Sequence, residues 1–258
     1  MTLVIFNFHE IEFTMIKHIQ NFTIPCYNTD ASWRLKPAAF MDLAQEAAGL
    51  HAVHLGFGYD DLIKKHTAWI LSRVNVKFID TPLWREDMTL TTWHKGFNRL
   101  FFLRDFVMTD SKGRERVKAT TSWLVLDLES RNMVRDPGLV EEGTICTENA
   151  VEIPADKIRM PRDVEAVPVY EHVVGYSDVD MLGHANNAMY MQWAMDAVDY
   201  EIASKSPVKE FTINFNKEIK AGEKVILYRA IVNKEDGMHV YIEGRTEAAS
   251  SFCVEIIF

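Results

Sequence analysis

One short segment of the chain, residues 178–187, contains two carboxylates, one histidine and two asparagines. A carboxylate such as Asp180 and an imidazole such as His184 are among the side chains that most often transfer protons in enzymes. An apolar run follows directly, so a helix is expected to begin there. The N-terminus of a helix has free N–H groups and a positive dipole, which stabilise a developing oxyanion. A loop that only caps the helix is the simpler alternative for the same residues.

The sequence does not predict a metal site. The three cysteines, Cys26, Cys146 and Cys253, lie far apart and form no C-x-x-C pair. His51 and His54 have the spacing of neighbours on a helix, but no cluster of acidic ligands accompanies them, so both are expected to pack or to lie on the surface. An odd and sparse cysteine count argues against a disulfide framework and favours a reducing compartment, so a cytoplasmic protein is predicted.

Composition and charge exclude several classes of protein. Of the 258 residues, 48% are hydrophobic and 25% are charged, which is typical of a globular protein and not of collagen-like, coiled-coil or disordered chains. The formal net charge is −9, and an acidic chain is not expected to bind nucleic acid, which needs a basic surface. The sequence shows no basic amphipathic helix and no run of about 18 apolar residues, so no membrane span is predicted.

The first fourteen residues are apolar but do not match a secretory signal peptide. They lack a positive n-region, they contain Glu10 and Glu12, and they show no small-residue cleavage site. We expect residues 1–15 to form an N-terminal extension, either as an added strand or as the product of translation that begins upstream of Met15.

The chain resembles itself in two halves. Each half begins with a strand-like run, continues into one long helical segment, residues 38–56 or 186–200, and ends in several strands. The later strands align at an offset of 137, which places Leu90 on Leu227, and then at an offset of 129, which places Trp123 on Phe252. We interpret this similarity as a duplication of one structural unit, and not as a chance likeness of two β-rich stretches. An internal repeat of this kind determines the architecture of the chain.

Both helical segments are apolar almost all round, which is typical of a buried helix. A central helix wrapped by a curved antiparallel sheet meets that requirement, and one helix with several strands per half is the hotdog arrangement. Turn signals at residues 109–114 and 234–238 favour antiparallel hairpins. The predicted fold is therefore α+β, a tandem (double) hotdog whose two sheets join edge to edge.

The predicted domain boundaries follow from this repeat. After the extension, a first hotdog domain covers residues 16–138 and ends at a D-P-G turn. Residues 139–166 have little periodicity and are expected to form a linker, in which a short strand is left open. A second hotdog domain covers residues 167–258 and contains the motif with Asp180 and His184.

The order D-x-D-x-x-G-H-x-N-N-x-x-Y resembles that of hotdog thioesterases, and more narrowly that of the acyl-acyl-carrier-protein thioesterases of bacteria and plants. The resemblance continues at Trp193 and in the first half, where LAQEAAGLHAVHLG leads into AWILSRVNVKFIDTPLWREDMTLTTW. It covers most of the chain, from about Ile16 to the C-terminus. The motif consists of Asp178, Asp180, Gly183, His184, Asn186, Asn187 and Tyr190.

The resemblance implies a catalytic set of Asp180, His184 and Glu218. In the plant members the acid, an asparagine and the histidine follow the spacing D-x-N-x-H, and a Glu-Cys pair lies on a later strand. Here Leu182 stands at the asparagine position and Ile219 at the cysteine position, so a thiol mechanism is not expected. The Leu182 side chain cannot orient a water molecule, which leaves that role to another polar group. Asp180 is expected to act as a general base on water or as a nucleophile that forms an anhydride.

Three further groups of residues are implied around this set. Backbone N–H groups at the start of the second helix are expected to stabilise the oxyanion. The first half lacks the motif, so it is expected to supply an acyl pocket along its helix. Lysines near Glu218 are weaker candidates for docking an acidic carrier protein. These residues are Gly183, Asn186 and Asn187 for the oxyanion, Phe40, Leu43, Ala47 and Leu50 for the pocket, and Lys217, Lys220 and Lys224, with Lys209 nearby, for docking.

The implied function is hydrolysis of the thioester of fatty acyl-acyl carrier protein, which releases a free fatty acid and the carrier. No metal ion and no organic cofactor is expected, because a thioester is already activated and water is the second substrate. The expected partners are an acyl carrier protein and a fatty acyl chain, and a homodimer is compatible with the sequence. Two alternatives stay open: an acyl-CoA thioesterase, and a non-catalytic acyl-binding hotdog protein, which Leu182 favours.

Overall fold

The computed structural model describes residues 11–13, 16–98, 100–135 and 138–258. Ile11–Phe13 forms a strand that pairs antiparallel with His18–Thr23, so this part of the expected N-terminal extension is an added strand. The other residues of that extension lie outside the described ranges. No helix within those ranges is long and apolar enough to cross a membrane.

The described residues contain eleven strands and four α-helices. The strands are β1 (Ile11–Phe13), β2 (His18–Thr23), β3 (Thr67–Phe78), β4 (Asp87–Asn98), β5 (Phe101–Asp110), β6 (Glu115–Asp127), β7 (Val167–Val173), β8 (Glu210–Phe215), β9 (Lys224–Lys234), β10 (Gly237–Arg245) and β11 (Ser250–Ile257). The helices are α1 (Pro37–His54), α2 (Tyr59–Lys64), α3 (Asn187–Asp196) and α4 (Tyr200–Lys205).

The strands form one antiparallel sheet in the order β1-β2-β4-β5-β6-β3-β8-β11-β10-β9-β7. Apart from β1, this order is symmetric about the central β3–β8 pair. At the centre Asn75 pairs with Thr212, and the Asn75 Nδ2 donates to the Thr212 Oγ1 at 2.9 Å. The same two residues are equivalent at the offset of 137, so a local twofold axis passes through their pair. The double hotdog with sheets joined edge to edge is confirmed.

The inner face of the sheet packs against α1 and α3, which also contact each other. Helix α1 begins at Pro37. Proline lacks a backbone N–H, and the N–H groups of the first turn have no acceptor within the helix, so proline loses no hydrogen bond there. Its buried side is rich in alanine, a strong helix former whose small side chain lets the sheet and α3 approach closely. Both predicted helices are thus buried in the core, and α1 lies within two residues of its predicted bounds.

The structure corrects the end of the second helical segment, which we expected at residue 200. Helix α3 ends at Asp196, and the separate helix α4 begins at Tyr200. The Arg229 guanidinium donates to the Ala197 carbonyl at 3.0 Å and to the Asp199 carboxylate at 2.8 Å. Because a strand residue binds both groups, the chain turns between the two helices instead of continuing as one.

Strand register corrects the predicted offset of 129. Phe78 pairs with Val117, and its equivalent Phe215 pairs with Phe252. Val117 is therefore the counterpart of Phe252, at an offset of 135, and the predicted match of Trp123 with Phe252 is wrong by six residues. An even shift leaves the alternation of inward and outward side chains unchanged, so the sequence pattern cannot detect the error.

The expected linker, residues 139–166, contains one 3-10 turn and no strand. It is held by buried polar side chains on the outer face of the sheet. The Ala150 N–H donates to the Asp105 carboxylate at 2.8 Å, and the Ile158 N–H donates to the Asn214 Oδ1 at 2.6 Å. The segment therefore crosses from the first half to the second while bound to both.

At one place in the core, a pair of facing residues consists of two medium-sized side chains in the first half and of a glycine and a large ring in the second. Met108 and Val117 lie opposite each other on β5 and β6, whereas the equivalent pair on β10 and β11 is Gly244 and Phe252. A Cβ atom at Gly244 would overlap the ring of Phe252. The phenylalanine ring therefore requires the glycine.

We expect Gly244→Ala to lower the free energy of unfolding by about 1–3 kcal/mol, the usual cost of overpacking a core. In a Phe252→Val background, which reproduces the side chain of Val117, the same change should cost much less because the overlapping ring is gone. Urea denaturation measures the change in the free energy of unfolding in each background. Gly49→Ala is the control: Gly49 is exposed on α1 with open space around it, so alanine should stabilise by about 0.5–1 kcal/mol. Equal costs of Gly244→Ala in the two backgrounds would contradict the overlap.

Candidate active site

A tight loop before α3 fixes Asp180 and His184. The Asp180 Oδ1 accepts a hydrogen bond from the Leu182 N–H at 2.9 Å, and the Asp180 N–H donates to the His184 carbonyl at 3.0 Å. Gly183 has a φ of 78°, a left-handed conformation that glycine adopts without strain. Asp180 and His184 are both half-buried. Leu182, at the position of the expected asparagine, therefore acts on Asp180 through its main chain.

Asp178 anchors this loop and is buried. Its Oδ2 accepts from the Gly175 N–H at 2.6 Å and lies 2.8 Å from the His172 Nε2, while its carbonyl accepts from the Asn186 N–H at 2.8 Å. Burial by itself would raise the pKa of Asp178, but the hydrogen bonds from Gly175 and His172 outweigh burial and lower it. An ionised carboxylate held in this way supports the loop.

A short β-bridge brings Glu218 to His184. His184 pairs with Lys220 across the bridge, and its Nε2 lies 3.4 Å from the Glu218 Oε2. The Ile219 carbonyl accepts from the Ala185 N–H at 2.8 Å, which fastens the segment that carries Glu218 to the loop that carries His184. The structure thus places two of the three predicted catalytic side chains in direct contact, with Asp180 four residues away on the same loop.

Tyr190 fixes the other side of the same segment. The Ile219 N–H donates to the Tyr190 Oη at 3.1 Å, and burial raises the pKa of Tyr190 to about 12, so the phenol keeps its proton. The Ile219 side chain, at the position of the expected cysteine, is fully buried in the core. The main chain beside Glu218 is therefore held between α3 and the loop.

Arg131 is a site residue that carries no sequence signal. It follows β6 in the first half, has a φ of 58°, and places its Nη2 3.9 Å from the Glu218 Oε2. No motif includes it, and only the fold brings it to the second half. Both side chains are substantially exposed, so this ion pair is weak.

The start of α3 has fewer free N–H groups than we expected. Those of Gly183 and Asn186 both donate to carbonyl oxygens within the loop. The Asn186 side chain caps the helix by accepting from the Ala188 N–H at 2.9 Å. The N–H of Asn187, the first residue of the helix, has no acceptor among the described residues. It is therefore the backbone donor that remains for an oxyanion.

A cavity lies between α1 and the first-half sheet, and Asn187 forms part of its wall. Of the four residues expected to line an acyl pocket, Phe40 lines this cavity, Ala47 is fully buried in the core, and Leu43 and Leu50 are half-buried. The cavity is therefore lined both by the start of α3 and by residues in the interior of the first half. Its other lining residues are Met41, Ala44, Gln45, Leu71, Val74, Phe106, Ala119, Thr121 and Trp123.

The first half contains the equivalent loop with different chemistry. Asp30 and Arg34 stand where the second half has Asp180 and His184. The Arg34 side chain ion-pairs with Asp30 at 3.0 Å and donates to the Ser204 carbonyl of α4 at 2.8 Å. This loop lacks the imidazole and clamps α4 instead.

The lysines near Glu218 differ in their contacts. Lys224 forms an ion pair with a glutamate of β7 at 2.5 Å, and the Lys209 Nζ donates to the carbonyl of the last residue at 3.0 Å. Lys217 and Lys220 are exposed, and neither forms an ion pair within the described part of the chain. These two lysines are the ones available to a partner.

All three cysteines are free, with Cys26 exposed and Cys146 and Cys253 buried. Burial raises the pKa of Cys253 to about 12, so its thiol is not a nucleophile at neutral pH. In the ranges that the structure covers, no group of three or more His, Cys, Asp or Glu side chains could hold a metal ion.

Curated plant proteins are similar to this chain along most of its length. Oleoyl-acyl carrier protein thioesterase 1 of Arabidopsis thaliana is 23% identical over 233 residues, which cover 81% of this chain and 62% of the relative. A palmitoyl-acyl carrier protein thioesterase of the same plant is 24% identical over 211 residues, which cover 77% of this chain and 51% of the relative. The chain thus spans between about half and three fifths of the length of these relatives.

Two solved structures share the fold. An acyl-ACP thioesterase from Bacteroides thetaiotaomicron has a TM-score of 0.78 at 22% identity, over 94% of this chain and 97% of that chain. The 12:0-ACP thioesterase from Umbellularia californica has a TM-score of 0.82 at 20% identity, over 95% of this chain and 98% of that chain.

Two family models match successive parts of the chain. The model of the acyl-ACP thioesterase N-terminal domain matches residues 16–140, and that of the C-terminal domain matches residues 162–257. Since the two models together match most of the chain, this protein belongs to the acyl-ACP thioesterase family.

Proposed function

We propose that this protein hydrolyses the thioester of fatty acyl-acyl carrier protein and releases the fatty acid and the free carrier. The observation that carries the proposal is the position of the His184–Glu218 pair, 3.4 Å apart, beside the start of α3, where Asn187 forms part of the cavity wall. An acyl chain in that cavity would present its carbonyl carbon to the loop that holds Asp180. Family membership supports the same activity.

In the proposed reaction Asp180 removes a proton from water, and the water oxygen adds to the thioester carbonyl carbon. The Asn187 N–H stabilises the oxyanion. The carbon–sulfur bond then breaks, His184 gives a proton to the leaving thiolate, and the proton held by Asp180 restores His184 through solvent. Glu218, 3.4 Å from the His184 Nε2, orients the imidazole. Attack by the Asp180 carboxylate itself, with an anhydride intermediate, is the alternative that the same residues permit.

The leucine at the expected asparagine position does not weigh against this reaction. Leu182 holds the Asp180 Oδ1 through its N–H at 2.9 Å, so the orientation of the carboxylate does not depend on the side chain at residue 182. The Asp180 Oδ2 stays available for a water molecule. A non-catalytic acyl-binding protein would not need the His184–Glu218 pair beside this loop.

We also propose that the protein acts in fatty acid biosynthesis and in a reducing compartment such as the cytoplasm. An acyl carrier protein as the substrate carrier supports the first proposal. The three free cysteines support the second, because thiols persist where disulfides are reduced.

Asp180→Asn and His184→Ala should each lower kcat for a carrier-linked acyl thioester by about 100-fold or more, the scale of a lost acid–base group. Circular dichroism establishes that the variants are folded. Asp30→Asn is the matched control, because Asp30 forms the same turn in the first half, and it should retain near-normal turnover. Near-normal turnover of Asp180→Asn would contradict the assignment, and a strong loss in Cys253→Ser would point to a thiol mechanism.

Ala44→Leu should shift the preferred acyl chain to a shorter length, because Ala44 lines the cavity and a larger side chain removes space from it. Relative kcat/KM across a series of saturated chains measures the shift. Val53→Leu, on the exposed side of the same helix, is the control and should leave the profile as it is. An unchanged profile in folded Ala44→Leu would place the acyl chain elsewhere.

Reversing Lys217 and Lys220 to Glu should raise KM for carrier-linked substrate, because acyl carrier proteins are acidic and attraction acts over about 8–10 Å at physiological salt. Hydrolysis of a short N-acetylcysteamine thioester should not change. The control reverses Lys65 and Lys112, which are exposed in the first half and give the same change in net charge. Equal effects of the two double variants would show that net charge, and not a docking surface, is responsible.

A wild-type protein that prefers coenzyme A to the carrier would favour the acyl-CoA alternative.

A further inference from the structure

The inner face of the first-half sheet carries a buried polar cluster next to α1. Its centre is Arg104 on β5, which is 6% exposed. The Arg104 Nη1 donates to the His51 Nδ1 at 3.0 Å and to the Thr92 Oγ1 at 3.2 Å. His94, on β4, lies directly opposite Arg104 in the sheet and is also buried. None of the described carboxylates forms an ion pair with Arg104.

This cluster borders the cavity that we assign to the acyl chain. Thr121 lines the cavity, and Arg104 lies directly opposite it on the neighbouring strand. The Thr121 Oγ1 also donates to the Arg104 carbonyl at 3.1 Å. On the helix side, Ala44 lines the cavity and His51 follows two turns later, about 10 Å further along the axis at 1.5 Å per residue. The cluster thus lies further along α1 than the lining residues, away from Asn187 at the start of α3.

Arg104 brings a positive charge to this cluster. Burial lowers the pKa of Arg104 to about 9, so its guanidinium stays protonated at neutral pH. Burial, followed by the charge of Arg104, lowers the pKa of His51 to about 3 and that of His94 to about 4, so both rings are neutral. A buried guanidinium that pairs with no described carboxylate is costly, and an anionic ligand would offset that cost.

The hydrogen-bond pattern assigns the protons of the two rings. His51 accepts at Nδ1, so its proton is on Nε2, which is buried and has no partner. The Thr144 hydroxyl donates to the Glu141 carbonyl at 2.7 Å and must therefore accept from the His94 Nε2, 3.0 Å away. The His94 Nδ1 is left as an acceptor that is buried and has no partner.

Donors outnumber acceptors in this cluster. A guanidinium has five N–H donors, and the two on the Arg104 Nη1 are used. The other three form no hydrogen bond within the described residues, and the His51 Nε2–H, which is fully buried, forms none either. A carboxylate offers about four lone-pair sites and a negative charge, whereas a methyl group would leave the His51 Nε2–H unsatisfied and give the guanidinium no partner.

The second half supplies an internal comparison. Strand register places Val240 at the position of Arg104 and Ile231 at the position of His94. The position of Thr121 is taken by Ile256. The same positions therefore hold apolar side chains in the second half and a guanidinium with polar neighbours in the first half. The polar cluster is not a requirement of the hotdog architecture.

We propose that the far end of the acyl cavity is a carboxylate-binding site, so that the preferred substrates carry a carboxylate at the end of the chain distant from the thioester and are released as dicarboxylic acids. The inference rests on the proposed thioester hydrolysis and names its substrate class. Arg104 and His51 bind the distal carboxylate, while Asp180 and His184 act at the thioester.

Kinetics with matched substrates test the proposal. Adipoyl, suberoyl and sebacoyl thioesters of acyl carrier protein are compared with hexanoyl, octanoyl and decanoyl thioesters. At the best length the carboxylate-ended chain should exceed its methyl-ended partner in kcat/KM by about 10-fold or more, the scale of hydrogen bonds to charged groups. Arg104→Met should abolish this preference, and Arg229→Met, which removes a guanidinium from the second half, should keep it. A preference for methyl-ended chains at every length, or one that Arg104→Met leaves unchanged, would overturn the proposal.

Binding without turnover separates this proposal from the proposed activity. Free suberate should raise the Tm of the wild-type protein more than octan-1-ol does, a chain of the same length without a carboxylate, and this difference should vanish in Arg104→Met. Without ligand, Arg104→Met should raise Tm, because it removes a buried charge that pairs with none of the carboxylates the structure describes. Turnover without a suberate effect would overturn the carboxylate site and leave the activity intact. A suberate effect that needs Arg104, in a protein that hydrolyses no thioester, would support the site and overturn the activity.

Discussion

The candidate site depends on the antiparallel pairing of β3 with β8. This pairing, centred on Asn75 and Thr212, joins two half-sheets into one and sets α1 against α3 on the same face. The start of α3 consequently meets the cavity under α1, and Arg131 of the first half reaches Glu218 of the second. A slip of one residue in this register would turn every inward side chain of one half outward, so the register that builds the core also builds the site.

Features that repeat along the chain were predictable from the sequence. The apolar helices, the hairpin turns and the equivalence of the halves follow from composition and periodicity, which reflect burial on an inner face. The motif around Asp180 and His184 was visible because its residues are neighbours in the chain. Glu218 became a candidate only through family resemblance, since no local pattern distinguishes it from a solvated strand residue.

Features that depend on contacts between distant segments were not predictable. Arg131 reaches the site only through the fold. His51 was expected to pack or to lie on the surface, and its burial beside Arg104 and His94 depends on the register of β4 with β5. The predicted offset of 129 failed for a related reason, because an even shift keeps the pattern of inward residues while changing which strand neighbours meet.

The opposite use of large and small side chains in the two halves limits how many ligands one molecule holds. Val74 and Ala119 line the first-half cavity, and strand register places Phe211 and Val254 at the equivalent positions of the second half. These larger side chains fill space that the first half leaves open. Among the described residues the twofold backbone therefore leaves this space open in the first half only, and the proposed acyl site implies a binding stoichiometry of one acyl chain per polypeptide, without a symmetric second site through which occupancy could become cooperative.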